Sequence, residues 1–263
     1  MAIKVTVWNE YVHEVGDSAA AKYIRQFYPN GIHNAIKENI AADDLEIRAV
    51  TLQDPEQGLP EDVLNDTDVL VWWGHCAHHQ VEDALVDRIQ QRILQGMGLI
   101  VLHSGHYSKI FKRMMGTSCS LRWREIGEKE RVWVVDKQHP ITQGIPDSFV
   151  VPNTEMYGEP FGIPNDAHDV FISWYEGGNV FRSGVTFQRG AGKIFYFSPG
   201  HETFPIYNNP DVAKVIQNAC RWAAATLPPQ KTNCWDCDPP TETVTTVNPL
   251  KQLDTKDLHE KAE

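Results

Sequence analysis

The first hundred residues alternate between short apolar runs and amphipathic segments, and this alternation constrains the fold more than any other feature of the chain. Apolar runs rich in β-branched residues predict strands, whereas apolar residues spaced three and four apart predict helices. The predicted strands are residues 3–8, 45–52, 68–73 and 98–102, and the predicted helices are residues 19–27, 33–41, 61–65 and 81–94. Elements in this order predict a parallel sheet with helices on both faces.

The middle of the chain has a different pattern, in which Gly and Pro turns separate the predicted strands without long helices between them. Residues 176–179 predict a hairpin turn between two of these strands. The strands are predicted over residues 131–136, 169–175, 180–187 and 193–197, and a last helix is predicted over residues 210–226. We therefore expect an α/β fold in which a mostly parallel sheet continues into an antiparallel extension.

Composition and charge narrow the classes of function. Apolar residues make up 41% of the 263 residues, which is enough for a substantial core. The net charge of -11 disfavours nucleic acid and anionic membrane surfaces as partners. The chain shows neither a long apolar run nor a signal peptide, so we expect a cytoplasmic protein without a membrane partner. A Walker sequence and a Gly-x-Gly-x-x-Gly fingerprint are both missing, so no nucleotide cofactor is expected.

The carboxyl-terminal residues predict an arm rather than part of the core. A single α/β domain is expected over residues 1–227, and the polar, Pro-rich residues 228–263 are expected to form an extended arm. An arm of this kind is either mobile or lies over a neighbouring subunit, and the second possibility leads us to expect a homo-oligomer. Cys234 and Cys237 in the arm have the spacing of half a zinc site or of a redox pair, and the alternative is two surface thiols. Disulfides are not expected in a reducing compartment.

Ionisable side chains follow the ends of four predicted strands. They are Glu10, His75, His78, His79, His103, His106, His201 and Glu202. Because the carboxyl ends of parallel strands meet at one edge of a sheet, we expect several of these side chains to converge in one crevice. Imidazoles can hold zinc or another divalent metal, and they can equally act as acids and bases. The predicted metal ligands are His75, His103 and His201, with Cys234 and Cys237 as the alternative.

Residues 155–161 form a second polar cluster, which contains Glu155, Tyr157 and Glu159. The Gly and Pro residues in this stretch predict a loop that could cover the site and supply Glu155 as a base or metal ligand; the alternative is a solvated loop. Aromatic rings stand beside charged groups at residues 122–125 and again at Arg182. This combination fits carbohydrate binding, since a sugar face stacks on a ring while its hydroxyls bond to the charges.

Six motifs together resemble the trehalose-utilisation ThuA-like family, which belongs to the class I glutamine-amidotransferase-like superfamily. The motifs are WWGH (72–75), GMGLIVLHSGH (96–106), HPI (139–141), EMYGEP (155–160), FRSG (181–184) and FYFSPGHE (195–202). The resemblance covers about residues 3–227 and implies a three-layer, flavodoxin-like fold. It also implies a role in the metabolism of disaccharides and keto-sugars.

The resemblance also shows where this chain departs from the amidotransferases. Their Cys nucleophile follows a central strand, and that position holds His103 here, with Gly105 and His106 after it. The late catalytic His of those enzymes corresponds to the region of His201 and Glu202. Since imidazole at residue 103 cannot form the thioester intermediate, we do not expect glutaminase activity.

The function expected from the sequence is acid–base or metal-assisted chemistry on a small carbohydrate of the trehalose or keto-disaccharide type. The alternative is a non-catalytic protein that senses a sugar. The expected catalytic residues are His103, His106, His201, Glu202 and Glu155. The expected substrate-binding residues are Glu10, Trp73, His75, Ser104, Tyr157, Glu159 and Arg182.

Overall fold

The computed structural model describes residues 2–225 and residues 242, 243 and 245. Apart from those last three positions, the predicted arm lies outside the described residues, and so do Cys234 and Cys237. The strands are β1 (Ile3–Asn9), β2 (Leu45–Thr51), β3 (Val69–Trp73), β4 (Gly98–Leu102), β5 (Arg122–Val134), β6 (Ser148–Gly158), β7 (His168–Tyr175), β8 (Val180–Arg189) and β9 (Gly192–Phe197). The α-helices are α1 (Ala19–Ile24), α2 (Ile32–Asn39), α3 (Glu61–Asn65), α4 (Asp83–Gln95), α5 (Lys109–Met115) and α6 (Pro210–Ala223).

The strands described form one sheet in the order β2-β1-β3-β4-β9-β8-β7-β5-β6. Strands β2, β1, β3, β4 and β9 run parallel, and β8, β7, β5 and β6 continue the sheet with antiparallel pairings. The turn predicted at residues 176–179 joins β7 to β8. The expected fold class, an α/β fold with a parallel core and an antiparallel extension, is therefore confirmed.

Helices cover both faces of the sheet, which gives three layers. On one face, Ile36 of α2 and Val215 of α6 belong to the same buried cluster as Val71 of β3. On the other face, Ile89 of α4 packs in a second cluster with Leu70, the neighbour of Val71 on the same strand. Successive residues of a strand point to opposite faces, so an apolar run such as β3 supplies both cores at once.

The loop predicted at residues 155–161 is wrong in its first half, because Glu155 to Gly158 belong to strand β6. This strand lies at the edge of the sheet and pairs only with β5 among the described strands. Pro152 is exposed at a register shift between Val151 and Thr154, where a missing N–H breaks no ladder hydrogen bond. The Pro and Gly residues therefore mark an irregular edge strand and not a mobile cover.

Two further differences concern the start of one strand and the presence of one helix. Strand β5 begins at Arg122, nine residues before its predicted start, and so brings Trp123 and Glu125 into the sheet. Helix α5 was not predicted from the sequence; the Ser108 side chain caps it by accepting a hydrogen bond from the Phe111 N–H, and Gly116 ends it in a left-handed conformation. Within residues 2–225, no helix combines the length and the apolar character that crossing a bilayer requires.

Candidate functional site

The candidate site lies at the edge of the sheet where β1, β3, β4 and β9 end. The register aligns the last residues of these strands: Asn9 pairs with Trp73, Trp73 with Leu102, and Leu102 with Phe197. The polar residues that follow each strand are therefore brought together, as the sequence predicts.

His103 is the first residue after β4 and is fully buried in a left-handed conformation, with φ +48°. This conformation is uncommon for a residue with a side chain and occurs often at functional turns. The Nδ1–H of His103 donates to the Ser198 carbonyl oxygen at 2.8 Å. Its Nε2 lies 3.1 Å from Oε2 of Glu155 and 3.2 Å from the hydroxyl of Tyr157, whose ring stacks on the imidazole. The turn thus aims Nε2 at β6.

Glu155 and His201 complete this first group. Burial raises the pKa of Glu155, but the contact with His103 and the other nearby imidazoles outweigh it, so the pKa lies below the usual value. His201 is buried, and burial lowers its pKa to about 4, which leaves the ring neutral. Its Nδ1 lies 2.7 Å from the Thr203 hydroxyl, whereas its Nε2 has no hydrogen-bond partner and lies 4.0 Å from Oε2 of Glu155.

A second group contains His75, Glu202 and His13. The Nδ1 of His75 lies 3.0 Å from both carboxylate oxygens of Glu202, and Nδ1 of His13 lies 3.4 Å from one of them. Burial works against protonation of His75, but the hydrogen bond to Glu202 outweighs it and raises the pKa of His75. The pKa of Glu202 is strongly lowered, because the hydrogen bond from His75 and the electrostatic interactions with His201, His75 and His13 outweigh the cost of burial. The carboxylate is therefore an anion at neutral pH.

Glu10 holds the backbone of the turn that carries His75. One of its oxygens accepts from the Cys76 N–H at 2.9 Å and the other from the Ala77 N–H at 3.0 Å. Burial opposes ionisation of Glu10, but hydrogen bonds from His13 and from the backbone amides lower its pKa to about 2. Glu10 is fully buried. Glu10 does not line the cavity, and its carboxylate holds the turn after β3.

A cavity of about 340 Å³ opens beside both groups. Its lining residues are His75, His78, Ser104, His106, Tyr107, Ser120, Leu121, Trp123, Glu125, Glu155 and Tyr157. Trp123 and Tyr107 are among the exposed large side chains, whereas Ser104 and Tyr157 are buried and share a hydrogen bond of 2.8 Å. The cavity therefore has aromatic side chains at its rim and polar side chains at its base.

His106 lies at the base of the cavity and is neutral. Its Nδ1–H donates to the Cys119 carbonyl oxygen at 2.6 Å, so the neutral ring carries its lone pair on Nε2. Burial lowers the pKa of His106 to about 4, and burial also lowers the pKa of His78 to about 4.

Besides Glu10, His103, His201 and Glu202, three more of the predicted site residues do not line the cavity. Trp73 is completely buried, and its Nε1–H donates to the Gly200 carbonyl oxygen at 3.0 Å, so it is a core residue. Glu159 and Arg182 form an ion pair with each other at 2.9 Å, and neither residue lines the cavity. Their charges are used to fix the chain after β6 against β8, since Glu159 also accepts from the Arg182 N–H.

The sequence reasoning missed His13, which lies four residues after the end of β1. The strand-end signal that points to Glu10 also points to His13 once the loop that follows β1 is included. His13 stacks on His75 with ring centroids 5.1 Å apart. The sequence indicates carbohydrate binding at residues 122–125, but it does not place Trp123 and Glu125 at this cavity, because that depends on where β5 begins.

Three groups of described residues have the composition and spacing to hold a metal ion. They are His103, Glu155 and His201; His13, His75 and Glu202; and Glu10, His13 and Cys76. The ligand atoms within each group lie within 4.8 Å of one another. Two members of the predicted metal set, His103 and His201, thus come together, but Glu155 takes the third place. His75 groups instead with Glu202, because its Nδ1 faces that carboxylate.

Comparison with known proteins gives one family match and several structural matches. A family model described as ThuA, trehalose utilisation, matches residues 4–223. A ThuA-like protein from Bacteroides uniformis is 17% identical, with a TM-score of 0.59 over 84% of this chain and 90% of its own. A ThuA-like protein from Parabacteroides merdae is 14% identical, with a TM-score of 0.61 over 88% and 93%. PurLQS from Thermotoga maritima is 15% identical, with a TM-score of 0.50 over 84% and 99%. Among curated proteins, no sequence matches the chain.

Proposed function

Because the chain belongs to the ThuA trehalose-utilisation family, we propose that it is an enzyme that acts on a sugar carrying a carbonyl group, such as a keto-disaccharide of the trehalose type. The reaction class is proton transfer beside that carbonyl, with His75 as the acid–base residue and Glu202 as the residue that positions it. Membership of the family supports the area of metabolism, and the arrangement of the side chains supports the proposed chemistry.

The observation that carries this proposal is the pair formed by His75 and Glu202 at the wall of the cavity. The Nδ1–H of His75 donates to a buried carboxylate that stays ionised, so the lone pair of the neutral ring is on Nε2. An imidazole held in this way can accept a proton and is stabilised as the cation that results. His75 lines the cavity, whereas Glu202 does not, which matches the roles of acid–base residue and positioning residue.

The shape of the cavity supports a carbohydrate as the substrate. Trp123 is 66% exposed at the rim, where the apolar face of a sugar ring can stack on the indole. Ser104, Tyr157 and Glu155 at the base offer hydroxyl and carboxylate groups for the hydroxyls of the sugar. Ligand sites commonly combine an apolar wall with a few converging polar groups in this way.

The proposed chemistry uses these groups in one sequence of steps. His75 takes the proton from the carbon beside the carbonyl, and the electron pair of the C–H bond moves to give an enolate. For isomerisation, the enolate oxygen takes up a proton, the hydroxyl on the deprotonated carbon loses one to become the new carbonyl, and the former carbonyl carbon is protonated. For cleavage, the enolate instead expels an oxygen substituent from the carbon next to the deprotonated one, the carbonyl re-forms, and the leaving oxygen takes up a proton to depart as an alcohol. Tyr157, whose pKa is raised well above its usual value by burial, remains a hydroxyl that can donate to the negative oxygen.

A second candidate function is sugar sensing without turnover. The observation that favours it is His103, which occupies the turn after β4 where amidotransferases of this fold carry their Cys nucleophile. A chain that has replaced its nucleophile can retain the cavity for binding alone. The two candidates differ in one measurable property, the appearance of product.

The test is turnover of trehalose and of keto-disaccharides by the full chain, with products identified by NMR. We expect product from at least one keto-disaccharide, and we expect His75→Gln to lower kcat by about 10²- to 10⁴-fold. His79→Gln is the matched control, since His79 is exposed next to the same segment and does not line the cavity. Stabilisation by sugars without product would favour the sensor, and neither binding nor turnover would contradict both candidates.

A further inference from the structure

We propose that His103, Glu155 and His201 bind a divalent transition-metal ion, with zinc the best fit to the ligands. The ligand atoms are Nε2 of each histidine and Oε2 of the carboxylate. This inference goes beyond the proposed function and does not rest on it, because metal binding can be measured without any substrate.

The three ligand atoms have a spacing close to that of a coordination shell. Oε2 of Glu155 lies 3.1 Å from Nε2 of His103 and 4.0 Å from Nε2 of His201. Tetrahedral zinc, with bonds of about 2.0–2.2 Å to nitrogen and oxygen, separates its ligand atoms by roughly 3.4 Å. All three ligand atoms lie within 4.8 Å of one another, so shifts of about 1.4 Å or less would bring them to one ion.

The strongest support comes from buried atoms that lack a partner. Nε2 of His201 and Oε2 of Glu155 are both buried without a hydrogen bond, although both residues are more than nine-tenths buried. Buried polar atoms are almost always paired, because leaving one unpaired costs free energy. A proton on Nε2 of His103 could satisfy Glu155, but it would leave His201 without a partner. A metal ion would engage all three atoms together.

The remaining ring nitrogens are already fixed in the manner of metal-bound histidines. Nδ1–H of His103 donates to the Ser198 carbonyl oxygen at 2.8 Å, and Nδ1 of His201 is held by the Thr203 hydroxyl at 2.7 Å. In His103 this hydrogen bond fixes the tautomer and leaves the lone pair on Nε2. In His201, Nδ1 lies 2.7 Å from the Thr203 hydroxyl and 3.3 Å from the Thr203 N–H, and the hydroxyl can accept from Nδ1–H in the tautomer that leaves Nε2 free for an ion. Both rings therefore present Nε2 to the same point.

In the other two groups of possible ligands, neighbouring side chains and backbone amides already pair with the carboxylates. Glu202 is contacted by the imidazoles of His75, His13 and His201, and both oxygens of Glu10 accept hydrogen bonds from backbone amides. Hydrogen bonds therefore account for those carboxylates, whereas among the described residues Oε2 of Glu155 and Nε2 of His201 have, apart from each other, only the contacts with His103 at 3.1 Å and Glu125 at 3.6 Å and form no hydrogen bond. We therefore assign the metal ion to the group formed by His103, Glu155 and His201.

The proposed ion would be accessible from the cavity. Glu155 lines the cavity, and so does Glu125, whose Oε1 lies 3.6 Å from Nε2 of His201 and whose side chain is half exposed. Three protein ligands with a further position facing a cavity are typical of a catalytic zinc site. An ion in this position would be able to polarise an oxygen of a ligand in the cavity.

The test is the binding of zinc to the full chain after its metal has been removed with a chelator. Zinc bound per chain is measured by equilibrium dialysis with elemental analysis, and affinity by calorimetry. Because Cys234 and Cys237 could bind zinc by themselves, the same measurements are made on the Cys234→Ser/Cys237→Ser double variant. We expect one zinc ion per chain in the double variant, and its absence there would overturn the proposal.

Substitutions then decide which group of side chains holds the ion. We expect Glu155→Gln and His201→Gln each to weaken zinc binding by about 100-fold or more, while His75→Gln and His78→Gln change it by less than about threefold. Circular dichroism shows whether each variant is folded, and the two ligand variants provide independent tests. If both ligand variants bind zinc as tightly as the unsubstituted chain, or if only His75→Gln loses zinc binding, the ion lies elsewhere and the assignment is overturned.

Discussion

The Nδ1 atom of His75 lies 3.0 Å from both carboxylate oxygens of Glu202, although the two residues are 127 positions apart in the chain. They meet because β3 and β9 both flank β4 in the sheet and all three strands end at the same edge. The topology of the sheet therefore fixes this pair. The first prediction concerns Glu202.

Replacing Glu202 with Gln should impair the proposed reaction while leaving substrate binding largely intact. The amide keeps the shape of the side chain, but it removes the negative charge that stabilises the protonated His75. We expect kcat to fall by roughly 100-fold or more with little change in KM, because Glu202 does not line the cavity. Glu46→Gln, at an exposed position of β2, serves as the control. A rise in KM at constant kcat would contradict the positioning role.

Replacing Trp123 with Ala should weaken binding of the sugar without affecting the fold. Trp123 lines the cavity and is 66% exposed, so its removal leaves no hole in the core. Loss of a stacking partner costs about 1–1.5 kcal/mol, which corresponds to an increase in KM of roughly tenfold. Trp174→Ala removes another exposed indole, one that does not line the cavity, and should leave KM unchanged. If the two substitutions changed KM equally, Trp123 would not be a residue that contacts the sugar.

Replacing Glu130 with Gln should stabilise the protein at high pH. Complete burial raises the pKa of Glu130 from 4.5 to about 7, although Ser173 and Tyr175 donate hydrogen bonds to it. The stability contributed by the neutral carboxyl is fully present below about pH 4.5 and is lost as the pH rises through 7. The loss approaches about 3 kcal/mol above pH 8, and the neutral amide avoids it.

The measurement for Glu130 is urea unfolding of both proteins at pH 5, 7 and 8.5. We expect Glu130→Gln to be the more stable protein at pH 8.5 and to lose most of this advantage at pH 5. A difference in the free energy of unfolding that is the same at all three pH values would show that the carboxyl does not ionise in this range.

Replacing Asn209 with Ala should destabilise α6. The Asn209 side chain accepts hydrogen bonds from the Asp211 and Val212 N–H groups at the start of this helix, and it donates one to the Val150 carbonyl oxygen. Loss of an amino-terminal cap costs about 1–2 kcal/mol. Thermal unfolding should show a lower Tm than for Asn208→Ala, which changes an exposed neighbour. Similar values of Tm for the two variants would show that the cap contributes little.

The parallel half of the fold could be predicted from the sequence because its signals are local. A strand such as β4 is an unbroken apolar run, and α4 repeats apolar residues at helical spacing. The antiparallel half was harder to predict, since Pro152 and the glycines around Glu155 are usually signs of a loop. Their meaning depends on the position of β6 at the edge of the sheet, and no local pattern records that position.

By itself, the sequence determined which strands end in imidazoles and carboxylates, because alternation and helical spacing follow from the backbone geometry of each segment. Only the tertiary structure decided which of these groups meet: His75 with Glu202, and His103 with Glu155, while Trp73 turned into the core. The physical reason is that such contacts depend on the order of strands in the sheet. They also depend on how far β6 pairs along β5. The strand order and the extent of this pairing are both properties of the whole packed chain.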